Sequence, residues 1–194
     1  MMSKRVLAGA GLILLMAECL LFILSWLLSA TMMEDVRSLL SSEGIRWFLG
    51  NYTSILASPL LVWLLLLLIA GGALYRCGIF GKHQGIRDRL ALRVSSAFII
   101  IYLIIIGLLT LMPHAILLSA TGDLFPSAFS RSLIPVIAFG IILFSVTYGV
   151  MAGRQSSLSD ILEILSYGIR KGAPFIVIYI LFIQFYESLW FVFG

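Results

Sequence analysis

Residues 55–75, ILASPLLVWLLLLLIAGGALY, carry no charge. As a helix they would reach about 31 Å at 1.5 Å per residue, the thickness of a bilayer's hydrocarbon core. The leucine run shows no helical periodicity, so no face is reserved for water. This predicts a membrane-spanning helix. It also orients the chain, because RCGIFGKHQGIRDRLALR follows directly. Basic loops stay cytoplasmic, which puts Pro59 near the outer end of the span and Tyr75 near the inner end.

The rest of the chain agrees. Of 194 residues, 61% are hydrophobic and 11% are charged, against about 25% charged in a soluble domain. This predicts an all-α integral membrane protein, a single membrane domain over residues 1–194 with no separate soluble domain. The net charge of +4 lies in loops that flank spans. That points to orientation and to anionic lipid headgroups rather than to nucleic acid.

Five spans are expected, at 6–30, 55–75, 94–112, 132–153 and 173–194. The first, retained as a helix, is longer than the apolar region of a cleavable signal peptide, the rival reading. The outside segment at 33–50 reads as two short interfacial helices broken at Gly44, with Trp47 anchored at headgroup depth; a plain surface loop is the alternative. Pro113 should end the third span, and Thr121-Gly122-Asp123 and Pro126 mark turns in the loop after it. Pro135 is expected in the first turn of the fourth span. Gly149-x-x-x-Gly153 marks a place where another helix could approach, ordinary packing being the default.

Residues 158–171 read as an amphipathic helix on the inner surface. Ser157-x-x-Asp160 would cap it, Gly172 would stop it, and Pro174 would open the last span. Of the 13 Lys and Arg residues, this topology leaves only Arg37, Arg46 and Arg131 outside. The asymmetry predicts a cytoplasmic N-terminus and an external C-terminus.

Ionisable groups inside spans are candidates for function, because a charge at the bilayer centre costs about 2.5 kcal/mol or more. Glu18 lies mid-span and cannot easily reach water. It can serve packing as a protonated or hydrogen-bonded group, or it can be a proton or cation site. Glu187 and Gln184, in the last span, are the other ion-coupling candidates; the alternative for Glu187, in the outer leaflet, is that it simply reaches the outer headgroups. Ser25, Ser95, Ser96, Ser145 and Thr147 can bond their own helix carbonyls. Cys19 and Cys77, His83 and His114 are isolated and offer no metal-ligand spacing. No Ser/His/Asp set, catalytic carboxylate pair or glycine-rich phosphate cradle appears, so neither catalysis nor a cofactor is expected.

Two blocks resemble the AbgT family of aminobenzoyl-glutamate transporters. SLLSSEGIRWFLGNYTSILASPL at 38–60 is similar to the family's S-L-L-S-x-E-G-I-R-W segment, with Gly44, Ile45, Arg46, Trp47, Asn51, Pro59 and Leu60 at similar places. From about residue 111 onward, Met112-Pro113, Thr121-Gly122, Ile134-Pro135, Tyr148-Gly149 and Gln184-Phe185 are similar to its late-middle region. Family members are much longer, and their intervening helices and re-entrant hairpins have no counterpart here. The family's Asn-Ser-Asn-Leu-Gly after Gln-Phe is also absent.

The resemblance implies a transporter of p-aminobenzoyl-glutamate or a related small organic anion, in the inner (plasma) membrane and coupled to a proton or sodium gradient. It also implies assembly, as a homo-oligomer or with another membrane subunit. The alternative is a non-transporting accessory or scaffold subunit derived from that family. The topology has a direct check. A reporter active only outside the cytoplasm should be active when fused after Gly194 and silent when fused after Gly81; the opposite pattern would reverse the orientation.

Overall fold

A computed structural model describes residues 4–31, 36–81, 85–111 and 128–194. Glu34, Asp35, Lys82, His83 and everything expected at 112–127, including Pro113, His114, Thr121–Asp123 and Pro126, lie outside the described residues. Among the described residues seven helices form: α1 (Lys4–Ala30), α2 (Ser42–Gly50), α3 (Tyr52–Leu56), α4 (Pro59–Arg76), α5 (Ile86–Leu111), α6 (Ala128–Met151) and α7 (Leu158–Phe193). Among the described residues there is no strand. Five of the helices, α1, α4, α5, α6 and α7, are long and apolar enough to cross a membrane.

Several boundaries differ from the sequence expectation. The second span starts at Pro59, and Ile55 and Leu56 belong to the short helix α3. A residue before proline disfavours the helical region, so the chain breaks at Ala57–Ser58 and proline opens α4. Gly44 does not break the outer segment. It lies in the first turn of α2, where the Ser41 hydroxyl accepts its N–H at 3.0 Å. The break comes at Asn51. Pro135 is inside α6 rather than in its first turn.

Gly172 does not stop a helix, and α7 runs unbroken for 36 residues with Pro174 inside it. At about 54 Å it exceeds the hydrocarbon thickness. The Ser157–Asp160 cap forms as expected. The Ser157 hydroxyl accepts the Asp160 N–H at 3.3 Å, and the Asp160 carboxylate accepts the Ser157 N–H at 3.0 Å.

The chain forms two compact units. One is built by residues up to Val62 together with Ala173–Gly194, the other by Trp63–Gly172. In the first unit α1 and the second half of α7 run parallel: Gly11 is beside Leu181, and Glu18 is beside Ser188. The segment before α2 is tied to both. Leu39 donates its N–H to the Ser25 hydroxyl at 3.1 Å, and Arg37 donates its N–H to the Val192 carbonyl at 3.1 Å. Leu21, Leu39, Phe191 and Val192 form the core there, and Trp47 stacks on Phe191 with ring centres 4.4 Å apart. Trp47 is thus half-buried in a protein core.

In the second unit α4 and the first half of α7 run antiparallel, at backbone distance. A side-chain carbon on Gly72 would collide with the backbone of Gly168, and one on Gly168 with the carbonyl of Leu68; Gly172 lies against the Leu68 side chain. The close approach therefore uses Gly168-x-x-x-Gly172, a small-residue spacing that lets helices meet. Gly149 and Gly153 serve otherwise. Gly149 makes room for the Gln155 side chain, and Gly153 turns the chain after α6 at a φ of 72° beside the Arg87 guanidinium.

Helices α5 and α6 form an antiparallel pair, in which Tyr102 on α5 donates its hydroxyl to the Val136 carbonyl at 2.9 Å. Gly168→Leu should force α4 and α7 apart and destabilise the protein by about 1–3 kcal/mol, read as a lower unfolding temperature in detergent. Gly71→Leu, at an open position, should leave that temperature nearly unchanged.

Candidate functional site

The first unit holds a polar cluster where its two long helices meet. Glu18 is midway along α1. Its Oε1 accepts the Ser188 hydroxyl at 2.7 Å, and Ser188 is fully buried on α7. The other oxygen, Oε2, is buried without a hydrogen-bond partner. Among the described residues no ion pair reaches Glu18.

Gln184 precedes Ser188 by one helical turn, so both lie on the same face of α7. It is buried at 6% exposure, and neither its amide oxygen nor its amide nitrogen has a partner. The apolar neighbours explain the geometry: leucines flank Glu18 along α1, and residues at positions 181, 184, 188, 191 and 192 face inward along α7 at helical spacing.

Sequence reasoning named Glu18, Gln184 and Glu187. The structure brings Glu18 to α7 beside Ser188, with Gln184 one turn away. Glu187 is half-buried, next to Ser188 in sequence and therefore about 100° round the helix. Ser188 was missed. Its signal was available in Gln184, Glu187 and Ser188, a cluster of polar side chains near the end of an otherwise apolar span. A second polar contact in this unit, the hydroxyl pair Ser58–Tyr179, was also missed.

Other in-span hydroxyls bond their own helix as expected: Ser25 to the Phe22 carbonyl, Ser96 to that of Arg93, Ser145 to that of Ile141 and Thr147 to that of Leu143. The Ser95 hydroxyl is buried without a partner.

The second unit has a charged knot around Arg154, just after α6. Its guanidinium donates to the Cys77 and Gly78 carbonyls at 3.2 and 2.5 Å, and pairs with Asp88 at 3.3 Å. Gly78, at a φ of 84°, leaves the space that the guanidinium fills. The arrangement is structural: it ties together the chain after α4, the start of α5 and the end of α6. Arg76 and Arg170 share Glu163 at 3.4 and 3.8 Å, but these groups are more than half exposed, so the pairs add little stability.

Cys77 is buried beneath the knot, and burial pushes its thiol above the ordinary cysteine range, outweighing hydrogen bonds and the nearby Arg154 charge that pull it down. Cys19 and Cys77 are both free. Among the described residues no cluster of His, Cys, Asp or Glu could hold a metal ion.

No protein-family model matches the chain, and no curated protein or solved structure matches it. What the geometry defines is a helical chain with, among the described residues, five helices of membrane-crossing length and apolarity. In one of its units a carboxyl group is paired on one oxygen only.

The thiolate is the reacting form of cysteine. In a Cys19→Ser protein, Cys77 should therefore label slowly with maleimide at neutral pH, speed up as pH rises past the ordinary thiol range, and react fast once the protein is unfolded. Rapid labelling of the folded protein at neutral pH would show that the thiol is open.

Proposed function

We propose that this chain is a multi-pass protein of the inner (plasma) membrane, with its N-terminus in the cytoplasm and its C-terminus outside. We read it as a transporter that moves p-aminobenzoyl-glutamate or a related small organic anion, using a proton or sodium gradient. The AbgT resemblance suggests the substrate class. The observation that carries the coupling is Glu18: a mid-span carboxyl group with one oxygen bonded to Ser188 and the other buried and unpaired. A group that can gain or lose a positive ion at membrane depth is what gradient coupling requires.

An accessory or scaffold subunit is the second reading, and the surface grooves favour it. One, of about 420 Å³, lies among α4, α5 and α6 and is lined by Leu74, Ile99, Leu103, Val136, Ile141 and other apolar groups. Another runs along α1 past Leu12, Leu15, Met16 and Ile23. Neither groove offers a cation to an organic anion, whereas apolar grooves suit lipid chains or a neighbouring helix.

Purified protein in proteoliposomes separates the readings. Uptake of radiolabelled p-aminobenzoyl-glutamate driven by an imposed proton or sodium gradient, and lost in folded Glu18→Gln, supports transport. A folded protein that shows no uptake and co-purifies stoichiometrically with another membrane protein, in both the native and Glu18→Gln forms, is a subunit.

A further inference from the structure

Three buried polar atoms near the contact of α1 with α7 have no partner: Glu18 Oε2, Gln184 Oε1 and Gln184 Nε2. Ser188 already donates to Glu18 Oε1. With Glu18 ionised, the interior would hold an acceptor without a donor and a charge without a countercharge. Among the described residues the charged groups around the cluster do not supply one. Glu187, on α7, is itself acidic. The Arg37 guanidinium, from the segment before α2, lies over the Phe191 ring at 5.9 Å, and no ion pair joins it to Glu18.

We propose that this cluster is a proton-binding site. Glu18 holds the proton on Oε2 and donates it to Gln184 Oε1, while Oε1 of Glu18 accepts from Ser188. One proton thereby removes the charge and satisfies two of the three unpaired atoms. A water bridge would leave the charge in place. A calcium or magnesium ion would find only the two Glu18 oxygens and one each from Gln184 and Ser188 here, where such cations take on the order of six or more.

Gln184 is then the positioning residue that decides whether Glu18 keeps its proton. Separation of α1 from α7 would expose the acid to a new acceptor and release the proton. The inference deepens the proposed function by naming the coupling ion and rests on it for the proton's use in transport. The site itself stands on the unpaired atoms.

Infrared difference spectroscopy of the full chain in lipid nanodiscs tests it without any transport assay. The expected result at neutral pH is a protonated-carboxyl C=O band that shifts in D₂O and is absent from Glu18→Gln. Ser188→Ala should move the band to higher frequency, because a carbonyl that loses a hydrogen bond stiffens. Gln184→Leu, which removes the acceptor of the carboxyl proton, should also displace it and lower the pH at which the band disappears, against an unchanged native-like circular dichroism spectrum.

A band that survives Glu18→Gln, or that vanishes in Glu187→Gln, overturns the assignment. So does a carboxylate band at neutral pH that responds to added sodium or lithium, which would make this a metal-cation site. If Glu18→Gln does not fold, Gln184→Leu still decides: an unmoved band overturns the proposal. A chain that fails to take up any substrate but shows the Glu18 band keeps its proton site and loses only the transport reading.

Discussion

Inside a bilayer no water is present to bond a free peptide group, so a chain this apolar must close its backbone hydrogen bonds within helices. That constraint leaves little else to distinguish one helix from another. Leucine against lipid is as favourable as leucine against leucine, so helices must recognise each other by close fit or by the few polar atoms they retain. Both devices are present, and they use different stretches of α7. Its first half meets α4 through glycine backbone, with Gly168 against Gly72 and Leu68. Its second half meets α1 through a hydrogen bond, Ser188 to Glu18.

The two contacts have different consequences. A glycine contact depends on shape alone and has nothing to titrate. The hydrogen-bonded contact includes an acid. A neutral Glu18 is a donor and an acceptor, whereas an ionised one is an acceptor with a charge. On the proton site proposed above, the fit of α1 to α7 is tied to the state of one proton, the kind of two-state element on which ion coupling can act. The Arg154 knot differs again. There a guanidinium holds three chain segments by bonding backbone carbonyls and Asp88.

Much of the architecture was legible. The five long helices follow from apolar runs that outlast any soluble helix's polar stripe, and the Ser157–Asp160 cap follows from the spacing of its two side chains. Glu18 and Gln184 were visible because polar groups are rare in such runs. Less legible were the roles of glycine and proline. Gly172 and Pro174 look like punctuation, yet α7 passes through both; once Leu68 packs against Gly172 and helix continues on either side, the helical conformation there is supported from outside. Gly44 looks like a break but is a close contact, because the Ser38–Leu39 backbone occupies the place of its missing side chain.

Sequence by itself determined that the chain is helical, that five helices are long and apolar enough to span a membrane, and which residues carry rare polarity within them. These depend on local composition and on the length of each run, which are one-dimensional properties. Tertiary structure alone decided which glycines are contacts, that Gly168 rather than Gly149 or Gly153 brings two helix backbones together, and that Ser188 completes the site begun by Glu18. The partners are 170 positions apart in the chain, and no local pattern encodes which of two apolar faces will turn a hydroxyl toward a carboxyl group. That choice is made when the helices pack.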